Sequence, residues 1–148
     1  MLKYFGYGLV LVLMFSCNSS ESTDKKTTII DGSERYEVYQ GSEMANVMRG
    51  MHAFNLQLKK EIESGKVTTE FPEEFLKIHT AEFSESKSRN ATFDYYSGKF
   101  VDAQKLVFTE DSTVSLTERY NNAINLCISC HQTECTGPIP KIKKLLIK

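Results

Sequence analysis

The stretch Val114-Ser115-Leu116-Thr117-Glu118-Arg119-Tyr120-Asn121-Asn122-Ala123-Ile124-Asn125-Leu126-Cys127-Ile128-Ser129-Cys130-His131 decides the fold of this chain. Leu116, Tyr120, Ala123, Ile124, Cys127 and Cys130 recur at intervals of three and four, so one face of a helix from Val114 to His131 turns inward. Beyond it, Gly137-Pro138-Ile139-Pro140 forbids continuation of that helix. The helix ends on Cys127-Ile128-Ser129-Cys130-His131, the Cys-x-x-Cys-His spacing by which c-type haem is attached. Two thiols separated by two residues lie on one turn and can add to the two vinyl groups of a single porphyrin. His131 then lies under the iron and offers an imidazole nitrogen as proximal ligand. Zinc ribbons and redox dithiols use similar spacing, so the cellular compartment bears on the reading.

The other end of the chain speaks to compartment. Lys3, the apolar run from Tyr4 to Phe15, and then Ser16-Cys17 have the layout of a secretory signal over residues 1–17. The run is shorter than the roughly 20 residues a spanning helix needs. Met14-Phe15-Ser16-Cys17 resembles a bacterial lipobox, which implies lipidation of Cys17 and removal of residues 1–16. An ordinary signal peptide with a chance cysteine is the other reading. Several acyl chains on one cysteine hold a protein at a membrane at ~0.8 kcal/mol per buried CH₂, so the mature chain is expected to be tethered to the membrane and not to span it. The expected location is the envelope of a bacterium, on the periplasmic side.

Residues 18–40 are Ser/Thr-rich and charged, without a helical apolar period, and read as a flexible tether. Residues 41–148 remain as one domain of ordinary size. The chain has 18 basic and 19 acidic side chains, a net charge of −1, and nothing in that balance suggests nucleic acid as partner. The late lysines Lys141, Lys143, Lys144 and Lys148 read as a solvated tail, with docking to an acidic redox partner as the alternative. With Cys17 assigned to lipid and Cys127 and Cys130 to haem, Cys135 is left over among the four cysteines, and burial is its expected state.

Three further helices precede the motif. The first runs from about Ser42 to Ser64, with Met44, Val47, Met48, Met51, Phe54, Leu58 and Ile62 on one stripe, Ser42 as N-cap and Gly65 past the C-terminus. The second starts at Phe71-Pro72-Glu73-Glu74, where proline and two acids suit a helix N-terminus, and fades after Phe83. The third covers roughly Ala91–Thr109, with Phe93, Tyr96, Phe100, Ala103 and Val107 inward, Leu106 as a further candidate, and Gly98 costing up to ~1 kcal/mol of propensity.

Four helices with Cys-x-x-Cys-His in the last, close to the C-terminus, resemble the class II cytochromes c, the family of cytochrome c′ and the cytochromes c556. The resemblance covers about residues 42–131, and the tail from Cys135 to Ile142 departs from it, which suggests a divergent branch. It implies an all-α, antiparallel four-helix bundle with one haem c packed between helices. In that family the distal position lies on the first helix, which here carries Met44, Met48, Met51 and His52 within nine residues. Matched by helix length, Met48 falls at the distal position, with Met51 and then Met44 as alternates. Core filling is the competing role for all three. His52 and His79 are weaker candidates for the iron, Arg49 for a haem propionate, and Tyr120 is expected at the haem edge.

The expectation is a lipid-anchored monohaem cytochrome c that passes single electrons to redox partner proteins in the envelope, without enzyme activity, and with homodimerisation open. A five-coordinate, NO- or CO-binding cytochrome c′-like protein is the first alternative. The second is of another class: Cys127, Cys130, His131 and Cys135 as the Cys₃His ligands of a structural zinc in an interaction module.

Overall fold

The computed structural model describes residues 26–31, 34–39, 41–110 and 113–148. The signal segment 1–17 and Cys17 lie outside the described residues. The chain divides into two compact units, residues 1–40 and 41–148. In the first, β1 (Lys26–Asp31) and β2 (Glu34–Tyr39) pair antiparallel, with Thr27 opposite Val38 and Ile29 opposite Tyr36. The tether expected over residues 18–40 therefore contains a hairpin. Its β-branched and aromatic residues suit a pleated ladder, although the segment has too few apolar groups for a core.

The second unit is all-α. Its long elements are α1 (Glu43–Ser64), α2 (Ala91–Leu106) and α3 (Leu116–Glu134); a one-turn α4 (Ile139–Ile142) runs into a 3₁₀ turn, Lys143–Leu145. Side-chain oxygens start each long helix: Ser42 accepts from the Ala45 N–H, Asn90 from that of Phe93 and Ser115 from that of Glu118. Gly65 ends α1 in the left-handed region at φ 74°, where a Cβ would be strained. Both caps expected for α1 are present.

The second expected helix is instead a seven-residue 3₁₀ segment, Glu73–His79. Pro72 before it is extended, and the polar run Ser84–Asn90 after it offers no apolar face to continue on. The segment still carries the chain back. Phe71 lies against Phe108 near the C-terminus of α2 (6.5 Å between centroids), and Phe75 packs edge-on to Phe54 at 5.1 Å. The Glu82 carbonyl then meets the Met44 N–H at 2.9 Å, at the start of α1. Arg89 fixes this corner, donating to the Ile78 and Ala81 carbonyls while lying over the Phe83 and Phe93 rings.

At the same end, Asn90 Nδ2 donates to Glu134 Oε2 and Lys87 Nζ to the Glu134 carbonyl. The start of α2 therefore meets the end of α3. The main path is up, back along the 3₁₀ segment, up and down, with α1 and α2 both antiparallel to α3. Leu58, Tyr120, Ala123 and Ile124 are fully enclosed between them. Leu106, expected inward, is 52% exposed; Val101 and Gln104 take the buried positions on α2.

The segment after the prolines is no solvated tail. Ile142 and Leu145 are buried, and Leu146 and Ile147 pack on the core. Backbone groups tie it down: Lys59 Nζ donates to the Lys144 and Leu146 carbonyls, and Asn121 both donates to the Ile147 carbonyl and accepts from its N–H. The four lysines are exposed while the apolar residues between them pack on the core. No helix among the described residues is long and apolar enough to cross a membrane.

Candidate haem-attachment site

Cys127, Cys130 and His131 lie on the last two turns of α3, which continues to Glu134, about one turn beyond the expected end. Cys127 and Cys130 pack against the core without being sealed in it. Burial pushes the Cys127 thiol up to about 12, with Cys130 adding to the shift; burial, then Glu134, pushes Cys130 up to about 11. Both are neutral thiols at ordinary pH, unlike the low-pKa thiolate of a redox dithiol. Cys135, expected buried, is exposed, because α3 ends at this residue and its extended backbone turns the side chain away from the core.

The imidazole of His131 is held from one side. Its Nδ1 lies 2.8 Å from the Cys135 carbonyl, and a carbonyl can only accept, so Nδ1 carries the proton. Nε2 makes no hydrogen bond among the described residues and is left as the basic nitrogen. Metal-ligating histidines are oriented in this way, with one ring N–H on a carbonyl and the other nitrogen free for the metal.

The methionine stripe lies on α1, which runs antiparallel to α3. The Tyr120 hydroxyl shares its one proton between the Asn55 carbonyl at 2.9 Å and the Leu145 carbonyl at 3.1 Å, which ties α3 to α1 and to the C-terminal segment. Met51, Met48 and Met44 stand about one, two and three turns from Asn55, as Ile124, Cys127 and His131 stand from Tyr120. Counted from the Tyr120–Asn55 bond, Met48 and Cys127 are each about two turns along their helices, and Met44 and His131 about three. Met44 and Met51 are buried in the core and Met48 is half-buried against it. His52 lies beside the stripe, half-buried, and His79 is exposed. Arg49 is exposed and donates to Asn46 Oδ1 at 2.6 Å. Tyr120 is fully buried, and burial raises its pKa well above the usual phenol value.

The donor types are those a c-type haem uses: two neutral thiols one turn apart, an imidazole with its tautomer fixed, and thioethers on α1. The thiols meet packed side chains, so a porphyrin seated here displaces part of the core beside Met44 and Met51. Two cavities lie elsewhere: about 910 Å³ between Val107, Phe108, Leu116 and Arg119, and about 420 Å³ between Val47, Phe54, Pro72 and Phe75. Among the described residues, no three of the His, Cys, Asp and Glu side chains are gathered as ligands of one metal ion. Cys127, Cys130, His131 and Cys135 thus do not converge on a shared point.

Two buried amides have unpartnered atoms. Gln104 of α2 is fully enclosed and neither its Oε1 nor its Nε2 has a hydrogen-bond partner; Asn55 Oδ1 has none either, although its Nδ2 donates to the Met51 carbonyl. Each such group costs about 1–3 kcal/mol. Ala103 and Val107 account for the apolar positions on either side of Gln104, so hydrophobic periodicity does not reveal it.

No known family, curated protein or solved structure matches this chain.

Proposed function

We propose that this protein is a monohaem c-type cytochrome, anchored in the bacterial cell envelope through Cys17, that passes single electrons between partner proteins. The observation that carries this reading is the His131 Nδ1 bond to the Cys135 carbonyl, which leaves Nε2 free beside two thiols at attachment spacing. Haem, when bound, supplies the one-electron iron couple. Cys127 and Cys130 hold it, His131 orients its own imidazole as proximal ligand, and Met48 offers a thioether from α1. The surrounding helices exclude water, and no substrate chemistry is required of the chain. The path of the 41–148 unit agrees with a four-segment bundle of the class II cytochrome c kind, with its second segment reduced to a 3₁₀ turn.

A five-coordinate, gas-binding haem protein is the second reading, favoured by one observation: Met44 and Met51 are already engaged in the core. The test is expression of the full chain in an exporting, haem-attaching host, followed by acid–acetone extraction and oxidised and reduced visible spectra. Haem that resists extraction and gives sharp low-spin bands unmoved by CO supports electron transfer. A high-spin spectrum shifted by CO transfers the assignment to gas binding. Protein without haem that holds zinc overturns both.

A further inference from the structure

The outer face of α2 carries a stripe of matched residues. Tyr95, Lys99, Asp102 and Leu106 follow one another at intervals of four, three and four, so they lie on one line along the helix. All four are exposed, and the line runs opposite the buried Phe93, Ser97, Phe100 and Gln104. Tyr95 at 60% and Leu106 at 52% are the two most exposed large apolar side chains of the described residues. The ring contact of Tyr95 is with its sequence neighbour Tyr96, 5.3 Å between centroids. Neither Lys99 nor Asp102 makes an ion pair or a side-chain hydrogen bond among the described residues.

The order along the stripe is apolar, charged, charged, apolar, with opposite signs in the two middle places. Tyr95 and Leu106 are equally far from the midpoint between Phe100 and Val101, and so are Lys99 and Asp102. A second α2 laid antiparallel over that midpoint, about a two-fold axis, therefore sets Tyr95 against Leu106 of the second copy. It also sets Lys99 against Asp102 of the second copy, and the symmetry repeats each contact. Gly98 fits the same arrangement. It lies beside the stripe near the midpoint, in mid-helix, where glycine costs helix propensity. The fold itself does not ask for it: its φ is not left-handed, and a Cβ there would meet nothing within 4 Å. The missing Cβ lets a second backbone come close at the middle of the pairing.

We infer that this face of α2 is a homodimer interface, formed by an antiparallel α2–α2 pair about a two-fold axis. The contacts of Tyr95 and Leu106 at the two ends supply apolar burial. The two Lys99–Asp102 pairs fix direction and register, since a parallel pairing in register sets Lys99 against Lys99 and Asp102 against Asp102. A single helix pair makes a small interface, so the association is weak. Nothing in the inference depends on the haem reading, because it uses no residue of the 127–131 motif.

The test is sedimentation equilibrium of the full chain in a density-matched non-ionic detergent, at protein concentrations from about 1 µM to about 1 mM. The expected result is a mass that rises from one chain to two across that range. Lys99→Asp and Asp102→Lys, each alone, gather four like charges about the axis and are expected to raise the dissociation constant about tenfold. The double variant Lys99→Asp/Asp102→Lys exchanges the signs and is expected to restore the parent value. Both positions are exposed, and circular dichroism melts confirm that each variant is folded. A mass of one chain at every concentration overturns the inference. So does a dimer that neither reversal weakens, or one that the double variant fails to restore, since either result places the association elsewhere on the chain.

Discussion

His131 Nδ1 and the carbonyl of Cys135 lie 2.8 Å apart, and the Cys135 N–H returns to the His131 carbonyl at 3.2 Å, so the last turn of α3 closes on itself around the imidazole. The contact uses only the backbone of residue 135. Its thiol is exposed and takes no part. That separates the three cysteines of the described residues into a pair that faces the core and one that does not.

Cys135→Ala is therefore expected to leave covalent haem and its spectrum intact. Cys127→Ala and Cys130→Ala each retain a single thioether and shift the reduced band. Pyridine haemochrome spectra of the three variants measure this directly. Haem loss in Cys135→Ala would mean that the thiol is a ligand or an attachment point, against the present assignment.

Met48 lies about two turns from Asn55, as Cys127 does from Tyr120, and is the least enclosed of the three methionines on its stripe. Met48→Leu keeps the volume and costs under about 1.5 kcal/mol of stability, because the swap conserves shape in a partly exposed position. If its sulfur is on the iron, the same substitution turns the ferric spectrum from low to high spin and opens the iron to CO. An unchanged spectrum with Met44→Leu producing that transition would move the distal ligand one turn toward the start of α1. No change with Met44, Met48 or Met51 replaced would leave the iron five-coordinate or ligated from elsewhere.

What could be read beforehand divides by how local the cause is. The attachment motif, the stripes of α1 and α3 and the caps Ser42 and Gly65 depend on neighbours within a turn, and the chain displays them. The segment Phe75-Leu76-Lys77-Ile78 has apolar residues compatible with either an α-helix or a shorter turn. Only its extended approach through Pro72 and the polar run after it limit it to seven residues. Ile142 and Leu145 sit among lysines that hide them in any average, and the groups that hold the C-terminal segment are main-chain carbonyls and one N–H, which no side-chain pattern reveals. The His131 contact fails to show for the same reason. Gln104 is hidden because Ala103 and Val107 already fill the apolar period on either side of it.

The C-terminal segment is expected to be structural. Tyr120→Phe removes a buried hydroxyl whose one proton is shared between the Asn55 and Leu145 carbonyls, leaving the Leu145 carbonyl unmatched, at about 1–3 kcal/mol. Removing residues 139–148 also exposes the surface that Ile142 and Leu145 cover, each side chain contributing about 1.5–3 kcal/mol. Urea unfolding of the two variants should rank truncation well below Tyr120→Phe, and both below the parent. A truncated chain as stable as the parent would return these residues to the role of a solvated tail.

Glu61 gives the fold a defined acid limit. Its Oε2 accepts from the Thr68 N–H at 2.8 Å, the Thr69 N–H at 3.1 Å and Thr69 Oγ1 at 3.2 Å, and its Oε1 from Gln57 at 3.1 Å, tying the chain leaving Gly65 back onto α1. Led by the Thr68 contact, these donors hold the carboxyl at about 2, against 4.5 for the free group. A carboxylate whose pKa falls on folding stabilises the fold fully above the unfolded value and loses that contribution as pH falls through the folded one. Stability is therefore expected to decline from about pH 4.5 toward pH 2. Glu61→Gln should lower stability at pH 7 and flatten that part of the profile, read as melting temperature against pH. If the parent and Glu61→Gln profiles stay parallel through this range, the charge on Glu61 is not what fastens the 65–69 turn.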